Sequence, residues 1–231
     1  MSMILGAHPK LDMRTDYSFP SIVHGHYGDR DVVHGAVWTA RYGCITKNTK
    51  YVFMLRNLYA VVNSMMSLGE PSWADKFAVE EISRSIIGIS DWRQQHNVLP
   101  HFGKSFRERD TMALATICAY LKTYMLAEYR KHELNVIPVR YEELVKEPRA
   151  SLSSILEWIG VGWDESVLSH HEHPISEPFA GNDPQRAIDT SSVDKWKRCL
   201  SGEDVERISS VIGEMDDIFD GFAGRQELCR G

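Results

Sequence analysis

The chain has 231 residues, 43% of them hydrophobic and 25% charged, enough apolar content for a real core in one large α/β domain or two small ones. Its net charge of -6 argues against a general nucleic-acid binder, which would be basic, but leaves room for a local basic pocket for a small anion. Cys44, Cys118, Cys199 and Cys229 are scattered without a CxxC pair, which disfavours a zinc site or a disulfide framework and points to a reducing, cytoplasmic setting. No apolar run reaches membrane-spanning length.

Met1 to Gly6 reads as the tail of an apolar helix, stopped by Gly6 and Pro9. Leu11 to Arg30 reads as a loop, with Pro20, Gly25 and Gly28. Val32 to His34 is a short strand, followed by a polar connector from Arg41 to Lys50. Tyr51 to Leu55 is an apolar strand that turns at Arg56-Asn57 into a helix. Leu58, Val61, Val62, Met65 and Met66 form the apolar stripe of that helix, and Asn57, Ala60, Ser64 and Ser67 its polar face. Arg56 thus stands where a strand ends, with the Ser64 hydroxyl two turns into the helix. Ligands of open α/β sheets bind outside the carboxyl ends of strands, and Arg pairs with phosphate through two parallel hydrogen bonds. The pair is half of a phosphate site, or else a surface Arg followed by an unrelated helix Ser.

Ser72 is placed to cap a helix with Val79, Ile82, Ile86 and Ile89 inward. Asn97 to Arg109, broken by Pro100 and Gly103, reads as a basic loop with His101, Lys104 and Arg107, preceded by His96. Asp110 caps a long helix to about His132, with Leu114, Ile117, Leu121 and Met125 on one side. Val136 to Arg140 is a third strand leading into Tyr141-Glu142-Glu143-Leu144. Pro148 opens a helix with Leu152, Ile155, Leu156 and Ile159 inward and Gly160 as its stop. Asp164 to Leu168 is a helical turn and Glu172 to Ile188 a loop. Ser201 with Asp204 forms a capping box for a last helix, with Val205, Ile208, Ile212 and Met215 inward. Helices between strands imply a mainly parallel sheet covered on both faces, and no linker divides residues 1–231, so a single domain is expected.

Three segments, in order, resemble sulfotransferases that use 3′-phosphoadenosine 5′-phosphosulfate (PAPS). They are the strand with Arg56 and Ser64, the run VIPVRYEELVKEPRASLSSILEWIGV, and the run SSVDKWKRCLSGEDVERI. The resemblance implies a three-layer, P-loop-hydrolase-like α/β fold and sulfuryl transfer to an acceptor hydroxyl on a carbohydrate, lipid or small molecule. It assigns Arg56 and Ser64 to the donor's 3′-phosphate and Tyr141 to the nucleotide. Lys195 and Trp196 would close over the donor from the C-terminal side. It implies no metal, although His170, His171, Glu172 and His173 lie together in one loop. A basic run usual before the Lys-Trp pair is replaced by Asp189-Thr190-Ser191, with Arg186 nearby as a substitute.

The acceptor must lose a proton as it attacks, and His34, at the end of the strand before Arg56, is the family-like base. His24, His26, Asp29 and Asp31 are rivals. No segment matches the family's 5′-phosphosulfate loop, and the opening MSMILGAHPKL resembles the later part of the helix that follows it. An N-terminally truncated domain is therefore expected. Its exposed sheet edge would seek a partner, a second copy among the options. The competing expectation is a non-catalytic sulfotransferase-like binding module.

Overall fold

The computed structural model describes residues 1–14, 31–33, 49–67, 79–172 and 186–225. The chain divides into two compact units, Met1–Met54 with Asn135–Thr190, and Leu55–Leu134 with Ser191–Gly231.

In the first unit, helix α1 (Ser2–Gly6) precedes β1 (Asp12–Arg14), which pairs in parallel with β2 (Asp31–Val33), Asp12 opposite Asp31 and Arg14 opposite Val33. β1 falls inside the segment expected to be a loop. Its three residues are too few to show an alternating pattern, and only pairing with β2 makes it a strand. Strand β3 (Tyr51–Leu55) pairs with β4 (Val136–Arg140), and the Tyr51 N–H donates to the Asn135 carbonyl at 2.8 Å where the two begin. Both strands have the predicted bounds.

Helix α6 (Tyr141–Lys146) follows β4 directly, and α7 (Pro148–Ile159) starts on its proline. Leu152, Ile155 and Leu156 of α7 join Ile4, Leu5, Leu11, Val139, Leu144 and Val167 in one apolar core. Gly160 ends α7 with φ 95°, the left-handed conformation that a β-carbon disfavours. The Lys50 ammonium donates to the Trp158 and Ile159 carbonyls, each at 2.8 Å. It thereby satisfies carbonyls that the last turn leaves over and sits at the negative end of the helix dipole. His8 is buried, its Nδ1 accepting from the Lys10 N–H at 3.1 Å. That contact puts the ring proton on Nε2, which donates to the Gly162 carbonyl at 2.9 Å.

The second unit is built round α5 (Thr111–Lys131), capped as expected by Asp110, whose side chain accepts from the Ala113 N–H at 2.9 Å. The predicted face of Leu114, Ile117, Leu121 and Met125 is buried, but so is most of the remaining circumference. Alanines 113, 115 and 119 keep that second side thin, and the Thr116 and Thr123 hydroxyls donate back to the Met112 and Ala119 carbonyls at 2.8 Å. A helix apolar nearly all round is a central one. Packed on α5 are α2 (Leu58–Met66), α3 (Val79–Gly88), α4 (Trp92–Glu108), α9 (Gly202–Ile218) and α10 (Phe222–Arg225). The short α8 (Lys195–Cys199) packs on α2 instead.

The segment expected to be a basic loop is helical, since α4 runs through Pro100 and Gly103. Asp91 caps it by accepting from the Arg93 N–H at 2.9 Å, and Val98 and Ser105, two turns apart, are buried. Pro100 falls on the exposed face, so this burial and the cap outweigh the roughly 3 kcal/mol that an interior proline costs. The capping box before α9 is present in both directions. Ser72 lies outside the described residues, as does the loop from 173 to 185.

Candidate functional site

Arg56 leaves the end of β3 just before α2. Asn57 caps that helix, its side chain accepting from the Ala60 N–H at 3.2 Å. One arm of the half-buried Arg56 guanidinium, Nη2, donates to the Ser192 carbonyl at 3.0 Å. Ser64 lies exposed two turns into the same helix. Both groups are donors of the kind that suits an anion.

The first turn of α2 is more buried than its stripe predicts. Leu58, Tyr59, Ala60 and Val62 are all inside, while Val61, Met65 and Met66 are half-buried. Ala60 therefore belongs to the core rather than to the polar face. Tyr59, absent from both predicted faces, has the most specific role of the four. Its ring stacks on Trp196 with centroids 4.9 Å apart and planes 18° apart, and its hydroxyl lies 2.9 Å from Ser209 Oγ.

Two contacts thus seat the segment from Ser191 to Leu200 on the start of α2, namely Arg56 on Ser192 and Tyr59 on Trp196. They bring Lys195 and Trp196 to the helix that follows Arg56 and carries Ser64, although more than a hundred residues separate the segments. Lys195 is exposed at the first position of α8 and Trp196 is half-buried. Lys197, 5.7 Å from the Trp196 ring, pairs with Asp194 at 3.2 Å. Local sequence gave no sign of Tyr59, Ser192 or Ser209, because each acts through a partner distant in the chain. The one available clue was an aromatic residue beside the Arg-Asn turn.

Tyr141 belongs to the first unit, half-buried at the first position of α6 directly after β4. His34, with its rivals His24, His26 and Asp29, lies outside the described residues, and Asp31 is the first residue of β2. The basic side chains from His96 to Arg107 stand on α4, where the His101 ring meets Glu214 at 2.9 Å. His170 and His171 are edge to face at 5.7 Å, and no group of metal-ligating side chains is present among the described residues. Arg186 is in a fork with Asp189 at 2.8 and 2.7 Å.

The model of the sulfotransferase family matches residues 45–165, over half of the chain, spanning β3, Arg56, Ser64, β4 and Tyr141. The chain belongs to the sulfotransferase family. Among curated proteins, it is 43% identical over 42 residues to "Protein-tyrosine sulfotransferase 2" of Gallus gallus, covering 18% of this chain and 11% of that one. It is 19% identical over 182 residues to "Putative protein-tyrosine sulfotransferase" of Caenorhabditis briggsae, covering 76% of this chain and 54% of that one. The chain therefore spans about half or less of the length of these relatives. Among solved structures, it matches the sulfotransferase domain from the curacin biosynthetic pathway with TM-score 0.50 and 14% identity, covering 92% of each chain. At that identity the match speaks for the fold, and this sulfotransferase-family chain has the expected α/β, P-loop-like architecture with parallel strands.

Proposed function

We propose that this sulfotransferase-family chain transfers a sulfuryl group from PAPS to an acceptor hydroxyl, with residues 1–231 acting as one domain. The observation that carries the reading is the assembly on α2. Arg56 at the end of β3 and the Lys195-Trp196 segment, both singled out by their residue types, come together through Ser192 and Tyr59. PAPS would supply the sulfuryl group and leave as 3′-phosphoadenosine 5′-phosphate. Arg56 and Ser64 would hold its 3′-phosphate, the guanidinium by charge-assisted hydrogen bonds and the hydroxyl as a neutral donor. Tyr141 would lie against the nucleotide, and Lys195 with Trp196 would shield it from water. His34 would take the acceptor's proton during attack. No residue in this scheme calls for a metal, since the reaction rests on placement and on charge stabilisation by donors. The names of both curated relatives make a tyrosine phenol the first acceptor to test. The scattered cysteines favour a reducing compartment.

Calorimetric titration with 3′-phosphoadenosine 5′-phosphate tests the reading. The parent should bind, and Arg56→Ala should weaken binding about a hundredfold, from loss of two charge-assisted bonds. Arg149→Ala, removing an exposed cation that forks onto Glu165 in the first unit, should bind like the parent. No binding by the parent, or equal binding by Arg56→Ala, sinks the assignment.

A further inference from the structure

We propose that the outer face of α4 is a docking surface for an anionic lipid membrane. The most exposed large apolar side chains among the described residues fall within one short stretch of chain: Trp92 at 68%, Ile87 at 54%, and Leu99 and Phe106 at 47% each. Ile87 stands just before the turn into α4, and the other three recur every seventh residue along it. Seven residues are almost two whole turns, so Trp92, Leu99 and Phe106 form one row about 21 Å long. The half-buried Phe102 backs the row, its ring 6.1 Å from that of Phe106.

Charge accompanies the row. At helical spacing, His96, Arg107, Arg93 and Lys104 fall on the strip directly beside it, all exposed. The Arg93 guanidinium lies 5.7 Å from the Trp92 ring. Within α4 the one carboxylate is Glu108, in its last position, and Asp91 before it is occupied as the cap. In a chain of net charge -6, this helix is locally cationic. The remaining side of α4 holds Val98 and Ser105, buried where the helix packs on α3, α5 and α9. The face is therefore presented by a fixed helix and needs no unfolding to be used.

Several occupants could cover apolar surface, but the charges select among them. A second copy of this face would set Arg93, Lys104 and Arg107 against their own counterparts. An acidic polypeptide would satisfy the cations, but a single convex helix gives it no groove in which to bury the apolar row. A bilayer with anionic headgroups meets both needs. The row reaches the acyl boundary, while the flanking Arg and Lys stay among the headgroups. The inference is independent of sulfuryl transfer, and none of these side chains belongs to the proposed donor site.

Co-sedimentation of the full chain with phosphatidylcholine vesicles, with and without phosphatidylserine, tests it. Binding should require phosphatidylserine and weaken as salt is raised. The triple variant Arg93→Gln/Lys104→Gln/Arg107→Gln should bind about a hundredfold more weakly, each cation contributing roughly fivefold near the surface. Leu99→Ser/Phe106→Ser should lose at least about tenfold. Both variants change exposed positions, and circular dichroism with thermal unfolding would verify that they fold as the parent does. A blue shift in tryptophan emission on binding should be reduced in Trp92→Phe. The proposal is overturned if the parent does not sediment with anionic vesicles, or if the triple variant binds as well as the parent. It is also overturned by a dimer that Leu99→Ser/Phe106→Ser dissolves, which assigns the face to a second copy. Polyglutamate binding that equals vesicle binding and ignores Leu99 and Phe106 overturns it in favour of an acidic polypeptide.

Discussion

Tyr59 fastens together segments that carry residues of the proposed donor site. Its ring holds Trp196 and its hydroxyl reaches Ser209, so it fastens both α8 and α9 to the first turn of α2. Tyr59→Phe keeps the stack and removes one hydrogen bond, at about 1 kcal/mol. Tyr59→Ala removes the ring beneath Trp196 as well. Donor-product affinity should then fall in Tyr59→Ala and stay near the parent in Tyr59→Phe, measured by the same calorimetry. Equal losses in the two would mean that the hydroxyl, not the stack, seats the segment. For His34 the expected result is kinetic. His34→Ala should lower kcat by about a hundredfold or more, with donor-product affinity unchanged, as removal of a general base does. A His26→Ala loss of the same size, with His34→Ala active, would transfer the role.

At the scale of elements, the ends of α5 and α7 carry separable contributions. Asp110 both caps α5 and receives the Arg207 guanidinium, whose Nε donates to Asp110 Oδ2 at 3.1 Å. Partial burial pushes its carboxyl up, but the Ala113 N–H and Arg207 outweigh that and hold it below the usual carboxylate range. A depressed folded value gives stability that is present above the unfolded value of about 4 and lost as pH falls through the folded one. Asp110→Ala should cost about 1–2 kcal/mol at neutral pH, chiefly through the cap, and Asp110→Asn less, since Asn also caps. The gap between the parent and Asp110→Asn should close below about pH 4, as followed by urea unfolding across pH. For α7, Gly160→Ala forces a β-carbon into the left-handed region and should cost about 1 kcal/mol. Lys50→Met, which withdraws the ammonium from the last carbonyls, should add a similar loss.

At the scale of the molecule, the depth of α5 sets what can react. Cys118 is on this helix and buried, and burial raises its thiol to about 11. Cys199, at the end of α8, is exposed. In a chain with Cys44→Ser and Cys229→Ser, a thiol reagent at neutral pH should modify Cys199 promptly. Cys118 should be modified only as fast as the second unit opens, because its thiolate is scarce and its access closed. Prompt reaction of both thiols would contradict the burial of α5. The same helix is pinned to the C-terminal elements by the Tyr120 hydroxyl, which donates to Asp216 at 2.5 Å. Burial and then the Asp216 carboxylate raise that phenol, so it remains a donor across the working pH range.

Much of this was legible in the residues. The Asp110 cap, the Pro148 start, the Gly160 stop and the Ser201–Asp204 box depend on neighbours within a few positions, and sequence states such neighbours directly, while the apolar runs of β3 and β4 mark strands whose pairing only the fold supplies. The family, too, followed from the residue types in three ordered segments, and the match over residues 45–165 bears it out. Tertiary contact decided the rest. Pro100 and Gly103 read as loop residues until the burial of Val98 and Ser105 held α4 together, and β1 is a strand only by virtue of β2. Arg56 could be chosen from sequence as a candidate cation for an anion, but not its bond to Ser192, nor the stack that carries Trp196 to the helix that follows it. Local hydrogen bonds and periodicity are written into short stretches of chain. Contacts between segments more than a hundred residues apart exist only once the fold has closed the intervening loops.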